Sequence, residues 1–372
     1  MKKILYIINV DWFFISHFLP IGKEALKKGF EVHLACGITD KKEYLDSLGF
    51  IVHPLSITRS GTTIKNELKT IVEIYKIIKA INPNILEFFT IKPVLYGGIV
   101  SRFLSVPKKV FYITGLGYVF ITKGLKGFII RNLVKTFYSF AITGKNNSII
   151  TENIHDKKLI NKLNGVNENQ VKIIKGAGVD LTEYKYIEEN NQNITVSMAC
   201  RLLRDKGVFE YIEAARMLKQ NFPNVKFELY GDIDVHNPAS LTINDIEKIK
   251  KNGFVKIFGF NSDISSIFSN SNIVVLPSYR EGLPKVLIEA AACGRAVVTT
   301  DVPGCRDAIE PNHTGLLCKV RDSKSLADTI EKLILDKDLR NRMGKEGRKL
   351  AEKEFDIKKV VEKHFKIYEG EI

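Results

Sequence analysis

Residues 272–302 read NIVVLPSYREGLPKVLIEAAACGRAVVTTDV. The runs NIVVLPS and RAVVTTDV have the short, β-branched composition of buried strands, and the segment between them has that of a helix. A strand, a helix and a second strand in this order form a βαβ unit with parallel strands. Gly282 frees the backbone ahead of the helix, Pro284 suits its first turn and Gly294 follows it as a C-terminal stop. Glu281 therefore stands just before the helix and Glu289 inside it, with seven residues between them.

The same alternation extends upstream. NITVSMAC, VFEYIEAARMLKQ, VKFELYG, LTINDIEKIKKNG, VKIFGF and SDISSIFSNS alternate strand and helix signals, so the C-terminal half predicts a doubly wound parallel sheet. The N-terminal half repeats the logic with KKILYIINV, SHFLPIGKEALKKG, FEVHLAC, KKEYLDSLG and FIVHPL. There Ser16 is expected as the N-cap of the first helix and Gly29 as its stop. A chain of 372 residues exceeds the roughly 250–300 that one core holds, so two α/β domains are expected. The reading places the first at residues 1–185 and the second at 186–355. The polar stretch YIEENNQN, Tyr186–Asn193, is read as the linker because it has no apolar face. Residues 356–372, which include IKKVVEKHFKIYEGEI, are expected to form a helix that returns to the first domain.

Composition narrows the class. A hydrophobic content of 45% with no low-complexity tract is that of a globular protein. Five cysteines, widely spaced and without a C-x-x-C pair, read as reduced thiols in cytoplasm. The opening MKKILYIINV has the charge and apolar run of a signal peptide, but Asp11 and Trp12 follow where a small-residue cleavage site would stand. No apolar run approaches the roughly 18 residues of a membrane span, so a soluble or peripheral protein is expected. The net charge of +14 is unevenly placed: Met1–Asp180 carries 26 Lys+Arg against 13 Asp+Glu, and the remainder is nearly balanced.

Open α/β sheets bind ligands beyond the carboxyl ends of their strands, and two such sheets facing a cleft suit a reaction between two bound substrates. In ACRLLRDKG, Ala199–Gly207, Arg201 and Lys206 follow a predicted strand. Two cations beside a helix N-terminus would clamp a diphosphate, with Gly282 and Leu283 offering N–H groups. Each motif taken alone also fits a solvated turn or a helix-capping acid; their occurrence in one half favours the functional reading. The D-x-D of GDID, Gly231–Asp234, could hold a divalent ion, but a loop after a strand is the preferred reading, with no required metal and no cofactor.

At this point the chain resembles the retaining glycosyltransferases of family 4, which have the GT-B fold of two Rossmann-like domains. Arg201–Gly207 as R-x4-K-G, GDID, E-G-L-P-x4-E at Glu281–Glu289 and PGCRD at Pro303–Asp307 stand in family order. The resemblance implies that Arg201 and Lys206 hold the diphosphate of a nucleotide sugar, that Glu281 contacts the donor sugar and that Glu289 binds the ribose hydroxyls. The N-terminal half resembles a narrower group of bacterial enzymes that extend undecaprenyl-diphosphate-linked saccharides for O-antigen, capsule or protein glycans. The matching stretches are Asp11–Pro20, Thr58–Gly61, Phe89–Gly98 and Thr114–Phe120. Many relatives carry His where this chain reads LEFFT, Leu86–Thr90, so the role near the reaction centre passes to His17. A ring in the first helical turn also fits a cap or a packed side chain. Arg59, Lys92, Gly115 and Gly117 are the candidate acceptor contacts.

Phe88–Thr151 holds nine basic residues and no acidic one, interleaved with Phe and Ile in ITKGLKGFIIRNLVKTFYSFAITGK. Such a segment fits an anionic membrane surface as well as a core helix with a basic edge, and the charge asymmetry favours the membrane. No nucleic-acid motif is present. The expected protein is a hexosyl- or N-acetylhexosaminyltransferase using a UDP donor, peripheral at the inner face of the bacterial cytoplasmic membrane. A sugar-nucleotide 2-epimerase of the same fold and a non-catalytic nucleotide-sugar-binding subunit are the competing readings.

Overall fold

A computed structural model describes residues 1–57, 63–115, 124–189, 193–235 and 237–372, with the side chains of 124–131 excepted. The chain divides into two compact units. The first comprises Met1–Ala177 with Lys359–Ile372, and the second Gly178–Lys358.

In the first unit, β1 (Lys3–Val10) runs into α1 (Asp11–His17) and α2 (Leu19–Lys27), followed by β2 (Glu31–Gly37), α3 (Lys42–Ser47) and β3 (Ile51–Pro54). The chain then crosses through α4 (Ile64–Ile81) to β4 (Ile85–Phe89), α5 (Ile91–Ser101), β5 (Lys108–Ile113), α6 (Gly124–Ile142), β6 (Asn147–Thr151), α7 (Ile154–Asn161) and β7 (Val171–Ile173). The strands pair in parallel in the order β3-β2-β1-β4-β5-β6-β7. The order reverses direction between β1 and β4, which makes their carboxyl ends the switch point.

The first helical stretch departs from expectation. It opens at Asp11 directly after β1 and breaks at Phe18, with Pro20 in the first turn of α2. Ser16 therefore lies near the end of α1 rather than capping it. The break is a packing effect: Phe18 is buried, its ring 4.1 Å from that of Phe89 and 5.1 Å from that of Tyr112. Asp11 is fully buried and fastens the β2–α3 loop, accepting bonds from Thr39 N and Thr39 Oγ1 at 2.8 Å and from Lys41 N at 3.2 Å.

The second unit runs β8 (Thr195–Ala199), α8 (Val208–Lys219), β9 (Lys226–Tyr230), α9 (Ile243–Asn252), β10 (Lys256–Phe258), α10 (Ile264–Ser269), β11 (Ile273–Leu276), α11 (Lys285–Ala292) and β12 (Ala296–Thr300). It ends with β13 (Gly315–Cys318), α12 (Ser323–Leu335) and α13 (Lys337–Leu350), ahead of α14 (Ile357–Glu369). The parallel order β10-β9-β8-β11-β12-β13 has its switch point at β8 and β11. Strands covered on both faces are apolar throughout: Ile273–Leu276 and Ala296–Val298 are all at most 1% exposed.

Of the segment read as a linker, Asn190–Gln192 lie outside the described residues, and Tyr186–Glu189 is built into this unit. Glu189 pairs with Arg340 at 2.8 Å, the two side chains 6% and 4% exposed, and accepts from Asn272 Nδ2 at 2.9 Å. Arg348 donates to the carbonyls of Tyr184 and Ala292 at 2.8 Å. An acidic stretch reads as solvated until its cation is known, and Arg340 lies 151 residues further on. The boundaries fall instead at 177/178 and 358/359.

The C-terminal residues belong to the first unit, where His364, Phe365 and Tyr368 of α14 are buried. Tyr368 donates to Glu87 of β4, and the His364 ring stacks on Tyr112 at 5.5 Å. Glu87 is wholly buried against α14.

Candidate active site

The second unit places Arg201, Lys206 and Glu281 beyond the carboxyl ends of β8 and β11. Beyond β8 the chain turns through Arg201 and a short helix, Arg204–Lys206, to Gly207. Gly207 has φ +76°, and a Cβ there would lie 2.2 Å from the carbonyl oxygen of Pro277, just past β11. Glycine thus lets the two strand exits touch. Tyr279 N donates to Asp205 O at 2.8 Å, which ties the loops together.

Lys206 lies against Glu281 in a direct ion pair, the side chains 18% and 13% exposed. Ser278 Oγ donates to the same Glu281 oxygen at 2.6 Å. Burial pulls the Lys206 ammonium toward a lower pKa, but the Glu281 carboxylate outweighs it and the net shift is upward, so Lys206 stays charged. The Glu281 loop is backed by Gly304 of PGCRD (φ +84°), where a Cβ would come within 2.4 Å of Glu281 O. Arg201, 42% exposed, pairs with Asp234 of GDID at 2.8 Å. GDID is the loop after β9, and among the described residues no group of His, Cys, Asp and Glu is arranged to hold a metal ion.

α11 starts at Lys285 with Pro284 as its N-cap. Pro284 thus lies at the cap rather than within the first turn, and Gly282 and Leu283 are buried in the loop ahead of it. Glu289 is 3% exposed. Its Oε1 accepts from Tyr184 at 2.9 Å and faces Lys285 Nζ at 2.8 Å. Tyr184, Ser278 and Asp234 are partners that sequence reading missed. The D-x-D was noticed for metal, and its pairing with Arg201, 33 residues away, is set by the adjacent exits of β8 and β9.

In the first unit, His17 is the last residue of α1 rather than a first-turn residue. Its Nδ1 shares a 2.7 Å hydrogen bond with Ser16 Oγ, and its ring lies 4.1 Å from that of Phe13. Lys92 on α5 pairs with Glu67 of α4 at 2.7 Å, both under one-fifth exposed. Gly115, two residues past β5, has φ +114°. Arg59 and Gly117 lie outside the described residues. The switch point also holds Thr90, the N-cap of α5, at φ 70° and ψ 169°, a region otherwise left to glycine. Thr90 Oγ1 and Asn9 Oδ1, at the ends of β4 and β1, are buried without a hydrogen-bond partner among the described residues.

Two family models match this chain in succession. "Glycosyl transferase 4-like" covers residues 3–153 and "Glycosyl transferases group 1" covers 182–350. Together they span most of the chain, which belongs to the family 4-like glycosyltransferases of GT-B fold. It is 28% identical to the N,N'-diacetylbacillosaminyl-diphospho-undecaprenol alpha-1,3-N-acetylgalactosaminyltransferase of Campylobacter jejuni, over 95% of each chain. It is also 28% identical to the capsular polysaccharide biosynthesis glycosyltransferase CapM of Staphylococcus aureus, over 99% of this chain and 97% of CapM. Among solved structures, the fold matches HepE of Anabaena in complex with UDP and glucose, with a TM-score of 0.77 at 18% identity over all of both chains.

Proposed function

We propose that this glycosyltransferase moves a hexosyl or N-acetylhexosaminyl group from a UDP-sugar to an undecaprenyl-diphosphate-linked saccharide, with retention, in the building of a bacterial surface polysaccharide. The observation that carries the reading is the cluster at the β8/β11 switch point, where Lys206, Glu281 and Ser278 are bonded together beside Arg201. The acceptor class is supported by the Campylobacter jejuni relative and by similarity to the UDP-Gal:alpha-D-GlcNAc-diphosphoundecaprenol alpha-1,3-galactosyltransferase of Escherichia coli, 24% identical over 91% of this chain.

Arg201 and Lys206 hold the donor diphosphate, with the N–H groups around Gly282 and Leu283. Glu281 meets the transferred sugar and Glu289 the ribose. The acceptor hydroxyl attacks from the face that the diphosphate leaves, and the leaving phosphate takes its proton. Catalysis is then mainly stabilisation of charge growing on the diphosphate, and no obligatory metal or cofactor enters the scheme. His17, Lys92, Gly115, Arg59 and Gly117 serve the acceptor side. No helix among the described residues is long and apolar enough to cross a membrane, and the enzyme works as a peripheral protein at the cytoplasmic face, where α6 exposes Leu133, Phe137 and Phe140. Mass spectrometry of lipid-linked products after offering a panel of nucleotide sugars tests the reading. A one-sugar extension that is lost in Arg201→Ala and Glu281→Ala is expected; normal extension by either variant overturns it.

A further inference from the structure

α4 is amphipathic toward the core and apolar again toward solvent. Its inner face buries Thr70, Ile74, Ile78 and Ile81. Its outer face shows Ile64, Leu68, Val72 and Tyr75, 76%, 58%, 50% and 38% exposed. These positions recur at helical spacing and form one stripe along the helix. An isolated exposed Leu or Val needs no explanation, but an aligned row of four does.

Charge is sorted on the same helix. Lys65, Lys69, Lys76 and Lys79 are all exposed. Glu67 and Glu73 are drawn inward, Glu67 to Lys92 of α5 and Glu73 to the backbone N and hydroxyl of Ser56 at 2.7 and 2.9 Å. The contact of Glu73 with Lys69 is a long one, 3.7 Å. The outer surface is therefore apolar and cationic.

We infer that the α4 stripe is a membrane-contact surface that seats on anionic lipid headgroups. The inference rests on the lipid-linked acceptor of the proposed function and adds a contact independent of the basic segment around α6. A second copy of this chain would set lysines against lysines, whereas an anionic bilayer satisfies the stripe and its cations together.

The test is partition of the full chain onto phosphatidylglycerol/phosphatidylcholine vesicles at low salt, with pure phosphatidylcholine as the neutral control. Lys69→Glu/Lys76→Glu is expected to weaken partition by at least about thirtyfold, since each of the two cations lost contributes about 1 kcal/mol near the surface. Leu68→Asp/Val72→Asp is expected to weaken it by about tenfold. Both variants should keep transfer to a detergent-dispersed lipid-linked acceptor, which shows that they are folded. Undiminished partition of both variants overturns the inference, and retained transfer beside it leaves the enzymatic reading standing. If the variants instead lower the sedimenting mass, the stripe joins two copies and the inference is wrong. Loss of partition by the variants, with no transfer by the parent chain, supports the surface and removes the enzymatic reading.

Discussion

Removing the Lys206 ammonium separates two roles of one side chain. In Lys206→Ala the Glu281 carboxylate keeps Ser278 as a donor but loses its cation, in a site where both partners are less than one-fifth exposed. Charge-assisted hydrogen bonds contribute about 1.5–3 kcal/mol, so the variant should lose stability of that order. Loss of one group that stabilises transition-state charge should lower kcat by about 10²–10³-fold. A double-mutant cycle with Glu281→Ala, read by urea unfolding, should return a coupling of about 1–3 kcal/mol. Its pH dependence has a definite sign. Because the folded-state pKa of Lys206 is raised above its ordinary 10.5, the stabilisation is fully present below that value and is lost as pH climbs through the raised pKa. Turnover with a lipid-linked acceptor is the activity readout. A Lys206→Ala enzyme within about threefold of the parent in kcat, against the expected drop, would refute the assignment of Lys206 to the leaving diphosphate.

Three further outcomes are expected. Thr90→Gly should relieve a backbone strained at φ 70° and ψ 169° and raise the unfolding free energy by about 1 kcal/mol, a gain measurable in urea. Glu189→Gln, which leaves the buried Arg340 without its counter-charge, should cost about 3–5 kcal/mol; an unchanged urea midpoint would show that Tyr186–Glu189 is not fastened to the second unit. Burial pushes the Cys200 and Cys305 thiols up to about 12, so iodoacetamide at pH 8 should leave both unmodified in the folded chain, as peptide mass spectrometry would show.

Local patterning made much of the fold readable. Parallel strands buried on both faces announce themselves as β-branched runs, as at Ile273–Leu276, and Glu281 and Glu289 are paired by spacing within a single loop and helix. The start of α1 was harder. Ser16 has the chemistry of a cap, but the helix begins at Asp11, whose carboxylate is taken by Thr39 and Lys41 from the loop after the neighbouring strand β2. Glu87 is a like case: nothing in the sequence around it names a partner, and its carboxylate is bonded by Tyr368, 281 residues away.

By itself the sequence determined the two parallel α/β sheets, the strand-loop-helix that carries Glu281 and Glu289, and the cationic N-terminal half, because each depends on periodicity, turn chemistry or composition within a short window. Only the tertiary structure decided that Lys206 pairs with Glu281, that Arg201 pairs with Asp234, that Tyr186–Glu189 is a built-in part of the second unit and that α4 turns an apolar stripe to solvent. Those outcomes depend on which strand ends lie side by side and which helix face remains uncovered. Strand order and register set both, through contacts between residues far apart in the chain.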